Sequence, residues 1–280
     1  MVQKKNKIGD AITVVLLTLL SLAFLYPIFI VLINSFKGKL YISSAPFALP
    51  NSETFAGLQN YVFGFTKSKF HLAFFYSTFL TVGSVLLIVL FTCMTAWFII
   101  RVKSKFTSLL YYMFVFSMIV PFQMVMFPMV KITNILHLDN LIGMLPVYLG
   151  FGCGLSIFML SGFVKSIPIE IEEAATIDGC NPLQLFFKVV LPILKPTAIT
   201  VAILNAMWVW NDYLLPALVI GNDYKTIPVA VQGVLMGSYG DKNMGALMAM
   251  LVLAIIPIVI FYLSCQKYII KGVIAGAVKG

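Results

Sequence analysis

The sequence predicts an all-α integral membrane protein with six transmembrane helices, and three observations carry this prediction. Of the 280 residues, 61% are hydrophobic and only 10% are charged, and the mean hydropathy is +1.01. Soluble domains have about 25% charged residues, so the chain lies far outside that class. Six apolar runs are long enough to cross the hydrocarbon core, which takes about 20 residues. The basic residues, finally, lie mostly at the ends of these runs.

The six runs follow one another along a single predicted domain, 1–280. The first is too long for the apolar core of a signal peptide and lacks a small-residue cleavage site near Pro27, so we expect it to be retained as a span. The second is long enough to be tilted or to extend past the bilayer. The runs lie near residues 11–34, 72–100, 108–130, 141–164, 197–220 and 244–265.

The net charge of +9 fits a membrane surface better than nucleic acid. Most of the 19 basic residues fall on one side if the N-terminus is inside, which the positive-inside rule assigns to the cytoplasm. This orientation places both termini and the polar segment 166–196 in the cytoplasm, in a multi-pass membrane protein surrounded by lipid.

Residues that carry enzymatic chemistry are not arranged in any pattern that we can interpret as a site. The cysteines Cys93, Cys153, Cys180 and Cys265 have no metal-binding or redox spacing, and packing is the better interpretation. The sequence contains no Gly-x4-Gly-Lys-Ser/Thr phosphate loop. We therefore expect a non-catalytic chain with no metal and no cofactor of its own.

The polar segment 166–196 is predicted to form a helical hairpin. Pro168 suits a first helical turn, and the glutamates that follow favour the helix dipole. Gly179 is placed to end this helix in a left-handed conformation. Asn181 and Pro182 then indicate the cap and first position of a second short helix, which we expect to stop at Leu191-Pro192.

The first helix of the hairpin places small and apolar residues on one face. Ile167, Ile171, Ala174 and Ala175 share that face at helical spacing, and Ala175 stacks with Gly179 four residues later. Such a surface lets another protein approach closely. An amphipathic hairpin lying on the membrane surface would show the same spacing, and spacing alone does not separate the two interpretations.

A motif within the hairpin resembles the EAA loop of permease subunits in ABC importers. The pattern is Glu173-Ala174-Ala175, three residues, Gly179, nine residues, and then Val189-Val190-Leu191-Pro192, with Val189 where the family has Ile. The resemblance extends to the smaller permease of maltose-type importers. The residues that show this resemblance are 58–61, 210–213 and the tail 266–280. Residues 76–78 depart from the family pattern, because many relatives have Asn-Ser there.

This resemblance implies a type I ABC importer fold with a cytoplasmic coupling-helix hairpin, in the cell membrane of a bacterium. It implies a second permease subunit, two ATP-binding subunits that hold ATP and Mg, and an extracytoplasmic solute-binding protein as partners. It assigns coupling to Glu173, Ala174, Ala175, Asp178, Gly179, Leu191 and Pro192. It also implies that the cytoplasmic tail 266–280 reaches the ATPase through Gly276, Val278, Lys279 and Gly280.

The fifth run holds most of the intramembrane polarity, and we interpret it as a candidate substrate pathway. Amide, carboxylate and aromatic groups together suit sugars, whose hydroxyls need hydrogen bonds and whose C–H faces stack on rings. Bonds to a neighbouring helix or to the partner permease would explain Asn211 and Asp212 equally well. The candidates are Asn205, Trp208, Asn211, Asp212 and Tyr213.

The sequence therefore predicts a permease subunit of an ATP-driven, binding-protein-dependent sugar importer, with an oligosaccharide as the expected substrate. Related permeases carry glycerol phosphate, which would need basic residues in the pathway. An ion-coupled secondary transporter is the alternative from another class. Such carriers usually hold several intramembrane ionisable groups, and here Asp212 is nearly alone.

Overall fold

The protein is described by a computed structural model over residues 7–239 and 242–277, with side chains described over 9–239 and 242–267. These residues form α-helices joined by turns, a π-helical segment at Phe186–Val190 and an isolated β-bridge. The α-helices are α1 (Lys7–Ser35), α2 (Lys39–Ser44), α3 (Gln59–Thr66), α4 (Phe70–Arg101), α5 (Lys105–Ser117), α6 (Phe122–Ile135), α7 (Met144–Val164), α8 (Ile169–Ile177), α9 (Pro182–Leu185), α10 (Leu191–Asn211), α11 (Leu214–Val219), α12 (Ile227–Met236) and α13 (Met244–Ala277).

Five helical stretches of the described chain are long and apolar enough to cross a membrane, and there are six if the bent pair α5 and α6 forms one span. This confirms the all-α membrane fold. The five stretches are Gly9–Ser35, Phe70–Arg101, Met144–Val164, Pro182–Asn211 and Met244–Lys267.

Two of the predicted spans were wrong in detail. The run 108–130 is not one helix, because α5 and α6 meet at an angle of 109°. Pro121 explains the break, since the residue before a proline is pushed out of the α-helical region and Pro121 itself is extended (φ −63°, ψ 136°). The fifth predicted run, 197–220, also does not continue as a helix to its end: α10 stops at Asn211, and Asp212 is extended.

The chain divides into two compact units, the first made of Met1–His71 and Ala230–Pro257. In this unit the buried Asn60 satisfies one carbonyl at the end of α1, which has no partner within the helix, and one just beyond it. Its Nδ2 donates to the Ser35 carbonyl at 2.8 Å and to the Lys37 carbonyl at 2.9 Å. A Cβ on Gly245 would collide with the Asn60 side chain, so α13 approaches α3 closely only because residue 245 is glycine.

The second unit consists of Leu72–Val229 and Ile258–Gly280. A glycine again allows close packing here, as is common between membrane helices. A Cβ on Gly152 of α7 would lie 2.6 Å from Ile88 Cδ1 of α4 and 2.9 Å from Asn205 Oδ1 of α10. The helices α4, α7 and α10 therefore meet at Gly152 around the core that supports the hairpin.

Buried residues of the hairpin belong to this same core. Ile167, before α8, and Phe186, in the π-helical segment, pack in one cluster with Cys93 and Ala96 of α4. Both hairpin side chains are almost fully inaccessible. The hairpin is therefore an integral part of the helical bundle and not a loop that lies apart from it.

Candidate functional site

The first helix of the hairpin, α8, ends as its sequence predicts and begins one residue later than predicted. Pro168 lies at the N-cap in an extended conformation, one position before the first turn. Gly179 has φ +87°, which confirms the predicted left-handed ending. The Cys180 N–H donates to the Ala175 carbonyl and the Gly179 N–H to the Thr176 carbonyl, both at 3.0 Å. These two bonds form a Schellman motif, which satisfies carbonyls at the end of the helix.

The second arm of the hairpin begins as predicted but does not stop as predicted. Asn181 caps α9 by accepting the Gln184 N–H at 2.9 Å, and Pro182 takes the first helical position. The helix then continues through the π-helical segment into α10, so the predicted stop at Leu191-Pro192 is wrong. A proline inside an α-helix clashes with the carbonyl four residues earlier. The wider π turn accommodates Pro192, because Leu191 donates five residues back, to the Phe186 carbonyl.

A buried ion pair joins α8 to the end of α4. Glu172 has a side chain only 6% exposed, and its Oε1 accepts from Arg101 Nη2 at 2.7 Å and from Nε at 2.9 Å. Its Oε2 accepts from Trp97 Nε1 at 2.9 Å. Arg101 Nη2 also donates to the Ile167 carbonyl at 3.0 Å. The position of α8 is thus fixed by four hydrogen bonds from two side chains of α4.

This pair was not predicted from the sequence. Glu172 was interpreted only as one of the acidic residues that favour the helix dipole, and no role in the hairpin was assigned to Arg101. One signal was available, because Arg101 is the single arginine in a chain rich in lysine. Arginine is preferred in buried ion pairs, because its guanidinium stays charged and offers several N–H donors in a fixed plane.

The predicted coupling residues divide into exposed and packed positions. Ala175 is half-buried and packs against the core, as does Leu191, so neither is fully available at the surface. The exposed ones are Glu173, Ala174, Asp178, Gly179 and Pro192.

The helix face that was predicted to dock a partner is only partly exposed. Ile167 is buried, and Ala175 faces the core. Ile177 and Leu183, which were not among the predicted residues, are 86% and 62% exposed. The exposed surface of the hairpin therefore lies around its turn. Its residues are small at positions 174 and 179 (Ala174 and Gly179), and its side chains are apolar at Ile177 and Leu183. We call this surface, formed by Glu173, Ala174, Ile177, Asp178, Gly179 and Leu183, the hairpin tip.

Two of the candidate pathway residues are bonded to α7, a neighbouring helix. Asn205 is buried, and its Nδ2 donates to Ser156 Oγ at 3.1 Å and to the Val201 carbonyl at 2.9 Å. Asp212 lies in the connection after α10, where its Oδ2 accepts from the Tyr148 hydroxyl at 3.1 Å. These contacts match the alternative that was left open for Asp212, a bond to a neighbouring helix.

Asp212 also fixes the start of α11. Its Oδ1 accepts from the Leu214 N–H at 3.0 Å and from the Leu215 N–H at 3.4 Å. A carboxylate with three donors has little capacity left for a ligand.

The other three pathway candidates are exposed. Trp208 is 40% and Tyr213 is 41% exposed, and Asn211 is also exposed, with its Nδ2 bonded to the Met207 carbonyl at 2.7 Å. The Trp208 ring contacts the Tyr148 ring edge-on, with centroids 5.5 Å apart, so its orientation is restrained. Trp208, Asn211 and Tyr213 are thus available to a ligand or to another protein.

Of the tail residues predicted to reach the ATPase, the structure describes only the backbone of Gly276. The backbone of Gly276 belongs to α13. Val278, Lys279 and Gly280 lie outside the described residues.

Comparison with known proteins gives consistent matches over most of the chain. Residues 88–275 match the family described as binding-protein-dependent transport system inner membrane component. The chain is 40% identical to the probable starch degradation products transport system permease protein AmyC of Thermoanaerobacterium thermosulfurigenes, covering 93% of each chain. It is 35% identical to the multiple sugar-binding transport system permease protein MsmG of Streptococcus mutans, covering 99% of this chain and 100% of that one.

A solved structure has the same fold. It is a chain of a bacterial ABC transporter involved in the import of the acidic polysaccharide alginate, with a TM-score of 0.77 at 24% identity. The match covers 96% of this chain and 99% of that one. The family match spans the hairpin with its buried ion pair, α10 and most of α13. The chain therefore belongs to the binding-protein-dependent transport system inner membrane component family, as a permease subunit of an ABC importer.

Proposed function

We propose that this chain is one of two permease subunits of a binding-protein-dependent oligosaccharide importer and that it couples to an ATP-hydrolysing partner through the hairpin tip. One observation carries the coupling proposal. The hairpin is fixed to the bundle by the buried Arg101–Glu172 pair, while Glu173, Ala174 and Gly179 beside it stay exposed. A surface that is rigidly attached to the spans transmits movement from a docked protein to the transport pathway.

The remaining partners follow from this arrangement. The other permease subunit completes the pathway, two ATPase subunits supply ATP and Mg, and an extracytoplasmic solute-binding protein delivers the substrate. No phosphate loop occurs in this sequence, so ATP is hydrolysed by the partner and not by this chain. On the resemblance alone, the tail Gly276–Gly280 reaches the ATPase as well.

The proposed orientation places the hairpin and both termini in the cytoplasm. Lys103 and Lys105 follow α4, and Lys165 caps the end of α7 just before the hairpin. Basic residues near span ends favour the cytoplasmic side. The ATPase would then meet the hairpin tip directly.

Adding bulk at the hairpin tip tests the coupling proposal. We expect Ala174→Trp to leave the permease expressed and folded, because residue 174 is exposed, but to reduce co-purification of the ATPase and substrate uptake together. The matched control is Ala11→Trp, which adds the same bulk at an exposed position of α1. Normal ATPase recovery and uptake in Ala174→Trp would contradict docking at the hairpin tip.

The substrate proposal rests on relatives and on the exposed end of α10. AmyC and MsmG carry names that refer to starch degradation products and multiple sugars. Trp208 and Tyr213 offer exposed rings on which sugar faces stack, and Asn211 offers an amide. A neutral oligosaccharide is therefore the substrate that we propose.

Uptake kinetics test this proposal. In proteoliposomes containing the complete importer, Trp208→Ala should raise the KM for a labelled neutral oligosaccharide several-fold without lowering the yield of the complex. Phe24→Ala, an exposed aromatic of α1, is the control. Uptake of labelled glycerol 3-phosphate, with none of neutral oligosaccharides, would instead support the glycerol-phosphate alternative and contradict the sugar proposal.

A further inference from the structure

A cavity of about 860 Å³ lies where α4 ends, α5 begins and α7 ends. We call it the lysine cavity, because Lys103, Lys105 and Lys165 contribute its charge. All three lysines are exposed. The other lining residues are Ile99, Ile100, Ser104, Thr107, Ser108, Leu109, Tyr111 and Tyr112.

Three separate elements bring the charges together. Lys103 lies in the connection after α4, Lys105 is the first residue of α5, and Lys165 is the C-cap of α7. The Lys165 Nζ lies 5.6 Å from the centroid of the Tyr111 ring, which also lines the cavity, so a cation–π contact holds this ammonium beside that ring. Positive charges that converge on one concave surface raise the local concentration of anions.

The lysine cavity continues into an apolar stripe on α5. Leu109, Tyr112 and Phe116 recur at intervals of three and four residues, which places them on one face of the helix. Their side chains are 58%, 68% and 65% exposed. A basic cavity at one end of an exposed apolar stripe matches a molecule with an anionic head and a hydrocarbon tail. A free anion would need only the basic cavity and not the apolar stripe.

The position along the spans fits the same molecule. α4 ends at Arg101 and α7 ends at Val164, so the lysines lie where the apolar helices end. Tyrosines are enriched at this boundary, and basic pockets between membrane helices bind lipid headgroups.

We propose that the lysine cavity binds the phosphate headgroup of an anionic phospholipid, with an acyl chain along Leu109, Tyr112 and Phe116. The assignment needs only that the chain spans a membrane. Placing the lipid in the cytoplasmic leaflet rests additionally on the proposed orientation.

Lipid retention by the purified importer complex tests the proposal. The complex is reconstituted in nanodiscs of phosphatidylcholine with a small fraction of phosphatidylglycerol, and retained lipid is measured by native mass spectrometry. We expect the variant Lys103→Gln/Lys105→Gln/Lys165→Gln to bind phosphatidylglycerol roughly 100-fold more weakly, the usual contribution of three lysines near an anionic lipid. The control is Lys67→Gln/Lys131→Gln/Lys195→Gln, which removes the same charge at other exposed positions and should retain the lipid.

Two further measurements distinguish a lipid headgroup from a free anion and from a protein contact. Inorganic phosphate should not displace phosphatidylglycerol at millimolar concentration, because it lacks the acyl chain; displacement would show a free-anion site and overturn the proposal. Equal lipid retention by the two triple variants would also overturn it. Loss of the second permease from the cavity variant with lipid retention unchanged would assign the lysine cavity to a protein contact instead.

Lipid retention is measured separately from transport. If the importer takes up no sugar but retains phosphatidylglycerol only with the three lysines present, the lipid site stands and the proposed substrate fails.

Discussion

Glu172 in α8 and Asp212 after α10 are both acidic side chains held by another helix of the same unit, and they differ in what faces them. Glu172 faces a guanidinium and an indole N–H of α4. Asp212 faces the phenol of Tyr148 on α7 and two backbone amides of the following turn. In both places, neighbouring residues in the chain are exposed.

This difference shows which of the two regions depends on a single side chain. The carboxylate of Glu172 is neutralised by Arg101, so removing the arginine leaves a buried charge without a counter-ion. The carboxylate of Asp212 keeps two backbone donors whatever happens to Tyr148. The hairpin should therefore be the more sensitive of the two regions to one substitution, as its proposed coupling role requires.

The largest effect is expected for Arg101→Gln. Breaking a buried ion pair by removing one partner lowers the free energy of unfolding by about 3–5 kcal/mol, and partial exposure of Arg101 places the effect at the lower end. Thermal unfolding of the purified chain in detergent measures it. The double variant Arg101→Gln/Glu172→Gln should recover much of the loss, because no unpaired charge remains. Equal loss in the single and double variants would show that the pair does not act as a unit.

Tyr148→Phe should have the next largest effect. It removes a hydrogen bond to a carboxylate, which contributes about 1.5–3 kcal/mol, while the fully buried ring keeps its packing. The free energy of unfolding should fall by less than in Arg101→Gln, and Tyr26→Phe, at an exposed tyrosine of α1, should leave it unchanged. A loss larger than that of Arg101→Gln would reverse the comparison between the two regions.

The smallest effect on stability is expected for Gly179→Ala. The left-handed conformation costs a side chain about 1–2 kcal/mol, and a Cβ there would meet nothing within 4 Å, so strain is the whole effect. Gly162→Ala in α7 is the control, because its Cβ is equally unobstructed and its backbone is helical. Gly179→Ala should unfold at a lower temperature than Gly162→Ala. Identical unfolding temperatures would contradict the strain argument.

Local sequence determined much of this protein. The apolar runs indicated the spans because a helix must cover the hydrocarbon thickness with residues of its own. Gly179 and the Asn181-Pro182 cap were predictable because each acts within one helical turn, through φ preference and a side-chain bond to a neighbouring amide. The EAA pattern indicated the family for a similar reason, since its spacing is local.

Only the tertiary structure decided which residues meet across the bundle. Arg101 and Glu172 lie 71 positions apart, and Tyr148 and Asp212 lie 64 apart, so no spacing rule relates them. The same holds for exposure: Ala174 and Ala175 are adjacent and chemically identical, yet one is exposed and the other packs against the core. The π-helical segment before Pro192 was likewise not predictable, because packing of Phe186 and Val190 in the core competes with the tendency of proline to end a helix. Sequence periodicity reports the preferences of one helix, whereas burial and pairing depend on the helices packed against it.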